Sequence, residues 1–148
     1  MTSADYSLLL DCLRADGGAC GGGGNVVFAD AGLAANDRHL SESELHARLP
    51  GRARGRVLLW AVGRAAAEVA NFGRRPLRVG AGARSAPTPD ERALLNIADA
   101  LASGDRDAAR RAAEWLVPEW RVDSLLRALE PAVDALSGER RLRAPLRA

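Results

Sequence analysis

From Arg54 to Phe72 (RGRVLLWAVGRAAAEVANF) apolar positions recur with the period of a helix. Leu58, Leu59, Ala61, Val62, Ala65, Ala66, Val69 and Phe72 share one broad face, opposite Arg56, Arg64, Glu68 and Asn71. Arg64 and Glu68 stand at i,i+4, where opposite charges meet. Gly73 follows as a helix stop, since glycine accepts the left-handed position past a C-terminus. The small residues Ala61, Ala65 and Ala66 allow a second helix to approach closely. The pattern predicts a central helix around which the rest packs.

Upstream, Ser3 can cap a helix over about Ala4 to Ala15, with Tyr6, Leu9, Leu10 and Leu13 on one face. Leu8 and Cys12 lie on an adjoining face, and Gly17 is expected to end the helix. In the stretch Gly17 to Gly24, six of eight residues are glycine, which reads as a flexible link. The expected organisation is an amphipathic N-terminal helix (1–16), a glycine linker (17–24), a helical domain (25–138) and a disordered basic tail (139–148). The first helix then acts as a loosely docked or interacting arm. Val26 to Phe28 fits a short strand with no apparent partner, or an irregular or helical segment packed by Val27, Phe28 and Leu33. Ser41 and Glu44 form a capping-box pattern opening a short helix through Leu49, stopped by Pro50 and Gly51.

Downstream, Arg74 to Pro87 reads as a loop of glycine, proline and arginine. Thr88, Pro89 and Glu91 supply a cap, a proline at N1 and the capping-box acid at N3. The helix they open carries Leu94, Ile97, Ala98 and Leu101 inward and stops at Ser103–Gly104. Asp105 caps the next helix, with Ala108, Ala112, Trp115 and Leu116 inward. Its outer face offers Asp107–Arg111 and Arg110–Glu114 pairs at i,i+4. After Pro118 a last helix, about Glu119 to Leu136, aligns Val122, Leu125, Leu126, Leu129, Val133 and Leu136. Pro131 is expected to kink or split it, and Gly138 to end it. Three antiparallel helices against the central one give an all-α domain of five or six helices.

Composition agrees with this class. The 148 residues suffice for one domain with a real core. Aromatics are 4 %, and alanine is abundant, which suits close helix packing better than sandwiches or barrels. All 21 basic residues are arginine. That choice fits bidentate contacts to phosphate or carboxylate, but a GC-rich genome is the favoured reading, because it raises Arg, Ala and Gly together. Net charge is +2 but uneven: residues 1–50 carry −4, 51–86 carry +7, 87–138 carry −4 and 139–148 carry +3. No basic n-region precedes the short apolar run Leu8 to Leu10, so no secretory signal is expected. The run Val57 to Val62 is far shorter than the ~20 residues of a membrane span. A cytoplasmic protein with Cys12 and Cys20 as free thiols is the expectation.

Several chemistries lack their parts. Gly80-x-Gly82 is a fragment of a phosphate loop without its third glycine and without a helix directly after it. Cys12, Cys20, His39 and His46 match no usual zinc spacing, so no metal and no cofactor is expected. No nucleophile, base and oxyanion donor converge, so no catalytic residue is nominated. Asp90 and Glu91 are explained by the capping box and the helix dipole.

The arginine-rich band is the clearest functional signal. Arg52, Arg56 and Arg64 lie near the polar side of the central helix with Trp60 among them, and Arg74, Arg75, Arg78 and Arg84 follow. An exposed tryptophan flanked by arginines can anchor a protein partner, or stack on a base while the arginines hold phosphates. The plainer alternative covers Trp60 with the first helix or residues 25–49, the arginines snorkelling around it. Arg56, Trp60, Arg64, Arg74, Arg75 and Arg78 are the candidate partner-binding residues.

RVLLWAVGR (Arg56 to Arg64), RRPLRV (Arg74 to Val79), TPDERALL (Thr88 to Leu95) and AAEWLVPE (Ala112 to Glu119) together resemble a group of small, chiefly alphaproteobacterial helical proteins of unassigned activity. Members often carry Gly-Cys-x-Cys before the capping box. Here Gly82-Ala83-Arg84-Ser85 stands instead, so a thiol or metal role in that loop is absent. The resemblance spans a little over half of the chain and implies a helical bacterial protein without an activity. The leading expectation is a non-enzymatic adaptor or regulator that binds a partner protein through the Arg/Trp face or the N-terminal helix. A nucleic-acid-associated regulator using residues 52–84 comes second, and a small enzyme third.

Overall fold

The computed structural model describes residues 3–19, 26–29, 47, 52–80 and 86–143. Among them are five helices: α1 (Ser3–Ala19), α2 (Arg52–Phe72), α3 (Pro89–Ser103), α4 (Arg106–Leu116) and α5 (Glu119–Arg143). The protein is a small all-α bundle that also carries a two-stranded parallel ribbon, β1 (Val26–Ala29) with β2 (Leu77–Gly80). The helix expected between Ser41 and Leu49 lies outside the described residues except for Ala47, which is helical.

The core is aliphatic. Leu58, Leu77, Ile97, Leu125 and Leu126 are among its most deeply buried side chains, and every buried apolar residue described is Leu, Val, Ile, Ala or Cys. The most extensive helix–helix contact is between α2 and α5. Of the three C-terminal helices only α5 packs extensively on α2, while α3 and α4 pair with each other and with α5. The expected arrangement of three helices against the central one is corrected in that respect. The reason is the wide buried arc of α5, from Val122 and Leu125 to Ala128 and Ala132, which serves both sides.

Three further expectations change. The first helix is no loose arm: Leu9, Cys12 and Leu13 are buried in the same core as α2 and α5, and Arg14 is buried beside them. It continues through Gly17 and Gly18 to Ala19. A helical glycine costs only about 1 kcal/mol relative to alanine, too little by itself to stop a helix. For the same reason Gly138 does not end α5, which runs unbroken past Pro131 to Arg143, so 139–143 is helix and not tail. The third change lies in the segment read as a loop. Leu77 and Val79 point inward with Arg78 outward, and β2 pairs in register with β1: Val26 with Leu77, Phe28 with Val79. Two four-residue strands are marginal alone, and here β2 is held by α3, α1 and α2.

The predicted caps form. Thr88 caps α3 in extended conformation, its Oγ1 accepting from the Glu91 amide (3.1 Å) while Glu91 Oε2 accepts from the Thr88 amide (2.8 Å). Gly104 closes α3 at φ 79°, a left-handed position where side chains are strained. Asp105 caps α4 by accepting from the Ala108 amide at 2.9 Å. Gly73 ends α2, though not in the left-handed region. A Cβ there would stand 2.3 Å from the Val69 carbonyl oxygen, so close backbone approach is what excludes a side chain.

Candidate interaction surface

A buried polar node sets the frame. Glu91 is fully buried, and its carboxylate accepts four hydrogen bonds. Arg14 Nε (2.8 Å) and the Gly80 amide (3.0 Å) donate to Oε1; Arg14 Nη2 (3.0 Å) and the Thr88 amide (2.8 Å) donate to Oε2. One side chain thus ties α1, β2 and the start of α3. Asp90, also buried, accepts from Arg75 Nη1 and the Arg78 amide, both at 2.8 Å, through Oδ2. Its Oδ1 lies 2.6 Å from Arg75 Nη2, without hydrogen-bond alignment. Thr88 Oγ1 donates to the Arg78 carbonyl at 2.7 Å. The two carboxylates therefore do more than cap a helix. They fill its N-terminus with negative charge, which disfavours an anion at that end of α3; Gly82 of the Gly80-x-Gly82 fragment lies outside the described residues.

Outside this frame the aromatic residues come to the surface. Trp60 is 56 % exposed, Trp115 64 % and Trp120 71 %, each with an arginine guanidinium over its ring. On α2, Arg64 Cζ lies 5.2 Å from the Trp60 ring centre, with Arg56 exposed one turn before. Among the described residues, neither α1 nor any other element covers the indole, and most of the 25–49 segment expected as a possible cover lies outside them. Val57 is exposed alongside it.

At the far end of α2 a second surface forms. Phe72 meets Trp120 edge-on with ring centres 6.1 Å apart, and Arg121 Cζ lies 3.7 Å from the Phe72 ring centre. Arg121 is fixed there by Glu68, Nε to Oε1 at 2.5 Å and Nη2 to Oε2 at 2.8 Å. Arg74 donates its amide to the Leu116 carbonyl and its Nε to the Glu114 carbonyl, both at 3.0 Å, bringing the chain after α2 against the end of α4. Arg75 reaches Asp90 on one side and lies 6.0 Å from the Trp115 ring centre on the other. Hydrogen bonding to Asp90 raises the Arg75 pKa above its ordinary value; the carboxylate charge adds to this and burial opposes it.

The six candidate residues are thus not one surface. Arg56, Trp60 and Arg64 share a face of α2, whereas Arg74 and Arg75 lie ~20 Å further along, held by internal partners. The Arg78 side chain is exposed on β2. Two aromatic positions differ from the periodic expectation. Trp115 does not face inward: Ala109, Ala113 and Leu116 form the buried stripe of α4, with Trp115 off to one side. Phe72 has the right register but is the last residue of α2, where the core has already ended. The readable signal for the second surface was the pair Glu114-Trp115 and Trp120-Arg121, each indole beside a charge at a helix end.

Cavities are modest. One of about 20 Å³ beneath α1, lined by Leu9, Leu13, Val62 and Leu94 with Glu91 at its edge, holds no more than a water-sized void. An open groove of about 280 Å³ between the end of α3 and α5 is spanned by the Arg106–Glu130 ion pair. Among the described residues no cluster of three His, Cys, Asp or Glu could hold a metal. Cys12 is a buried free thiol; Cys20, His39 and His46 lie outside the described residues. No described helix is long and apolar enough to cross a membrane. No family model, curated protein or solved structure matches the chain.

Proposed function

We propose that the protein is a non-enzymatic adaptor or regulator that binds a partner protein through the Arg56–Trp60–Arg64 face of α2. The observation that carries this reading is Trp60, more than half exposed on the outer face of α2, with exposed arginines one turn away on each side. Tryptophan and arginine are the residues most enriched among interface hot spots. The alternative use of α1 is less favoured, because its apolar residues Leu9, Cys12 and Leu13 already belong to the core. A nucleic-acid reading of residues 52–84 is weakened too, since the exposed Arg74 and Arg75 are already engaged by intramolecular partners.

The test is affinity capture from the native host at moderate salt, comparing the wild type with Trp60→Ala/Arg64→Ala. A stoichiometric protein that the double variant no longer retains supports the proposal. If every captured protein stays with the variant, this face is not the binding surface. If nucleic acid elutes as the salt is raised, the second reading takes its place. Both positions are exposed, so the substitutions are expected to change stability by no more than about 0.5 kcal/mol.

A further inference from the structure

We propose that the partner element seated on this face is an acidic amphipathic helix, with two carboxylates about seven or eight residues apart bracketing an apolar side chain. The inference rests on the adaptor reading above and specifies its ligand. Three features of the face carry it.

The first is unmatched charge. Arg75, Arg106, Arg110 and Arg121 pair with Asp90, Glu130, Asp123 and Glu68. Arg56 and Arg64 are exposed and pair with no carboxylate among the described residues. Arg64 stacks over Trp60, which leaves its guanidinium edge available for a bidentate carboxylate. Complementary charge on the partner is therefore acidic.

The second is spacing. Arg56 and Arg64 are two turns apart on one face, ~12 Å along the helix axis, with Trp60 midway. Carboxylates two turns apart on a facing helix match both arginines. The apolar residue between them then lies on the indole and on Val57, which is exposed beside it.

The third is shape. Gly63 and Ala67 lie on the same side of α2 as Trp60, and Ala53 and Asn71 extend the strip at either end. Short side chains beside the one large ring let a second helix approach near the ordinary 8–10 Å interaxial distance. A polynucleotide is the poorer fit, because firm phosphate binding uses about 6–10 contacts and this face offers two unpaired arginines.

The experiment is selection from a display library of helical peptides about 18 residues long, with charged and apolar positions randomised. Selection is against the full-length wild type, with counter-selection on Trp60→Ala. The expected result is enrichment of Glu or Asp pairs seven or eight apart around Leu, Phe or Met. The best peptide, synthesised and measured by anisotropy, should lose at least tenfold in affinity against Arg56→Glu or Arg64→Glu. Replacing its acids by Lys should restore binding to the Glu variants. Trp60-dependent peptides without paired acids would overturn the acidic-helix inference and leave the adaptor reading standing. No Trp60-dependent peptide at all would overturn both. Trp60-dependent binding of a labelled single-stranded oligonucleotide would assign the face to nucleic acid and overturn both as well. Thermal melts of each variant, expected to match the wild type, exclude loss of fold as the cause.

Discussion

Glu91→Gln is the substitution with the largest consequence the structure supports. The glutamine keeps the shape of the side chain and removes its charge. Arg14, 4 % exposed, then loses the carboxylate that it holds by two hydrogen bonds. The new amide group must also face one pair of the four donors, either Gly80 and Arg14 Nε or Thr88 and Arg14 Nη2, setting donor against donor. Breaking a buried ion pair from one side costs about 3–5 kcal/mol, against a total stability on the order of 5–15 kcal/mol. At about 2–4 °C per kcal/mol for a chain of this length, the melting temperature should fall by roughly 6–20 °C. Circular dichroism at 222 nm, with urea and with heat, reads both quantities. A cycle with Arg14→Met sharpens the test. Arg14→Met alone should cost less, since Glu91 keeps its two backbone donors, and the double variant should cost less than the sum by about 1 kcal/mol or more. A Glu91→Gln protein within about 1 kcal/mol of the wild type, or strict additivity in the cycle, would refute the view that this pair fastens α1 to α3.

Other perturbations follow from the same geometry. Arg121→Lys should destabilise by about 1–2 kcal/mol in urea unfolding, because lysine cannot reproduce the bidentate contact to Glu68 while lying flat on Phe72. Pro131→Ala should stabilise by about 1–3 kcal/mol, restoring an amide donor inside α5, and a lower urea midpoint would contradict this. Arg75 has a folded pKa above its unfolded value, so its contribution is fully present below the unfolded pKa and fades only as pH rises through the folded one. The stability difference between the wild type and Arg75→Met should therefore be flat from pH 7 to 10. A slope across that range in paired urea titrations would mean that another group titrates against Arg75.

What the sequence made legible was local. The cap at Thr88–Glu91, the cap at Asp105 and the inward faces of α2, α3 and α5 depend on residues within a few turns of one another. The partners of charged groups did not. The i,i+4 reading paired Glu68 with Arg64 and Arg110 with Glu114, but Glu68 holds Arg121 and Arg110 holds Asp123 on α5. A helical i,i+4 pair is worth only a few tenths of a kcal/mol, so a contact across helices, two-pronged for Arg121 and Glu68 and single for Arg110 and Asp123, displaces it. The Arg14–Glu91 bond spans 77 residues and leaves no periodic trace. The ribbon was hidden for a related reason. The alternation Leu77-Arg78-Val79 is a strand pattern, but its partner Val26–Ala29 lies on the other side of α2 in sequence. Trp60 could be placed on the polar face of its helix from sequence. Its exposure could not, because coverage of that face depends on where the other segments dock.

The exposed tryptophans follow from the way the core is built. Helices that meet through Ala61, Ala65, Ala66, Ala109, Ala113 and Ala132 pack too closely to admit an indole, and leucine, valine and isoleucine fill what space is left. Large rings are then left at the rim, although tryptophan is usually highly buried. Two of the three have structural work there: Trp120 packs on Phe72 and Arg121, and Trp115 lies by the Arg75 that holds Asp90. Substituting either would disturb binding and folding together. Trp60, the least exposed of the three, has its ring contact with Arg64 of its own helix, an arginine that forms no ion pair among the described residues. Substituting Trp60 leaves the aromatic and cation–π contacts between helices intact, which is why α2, and not the larger aromatic surface at the end of the molecule, is the place to test for a partner.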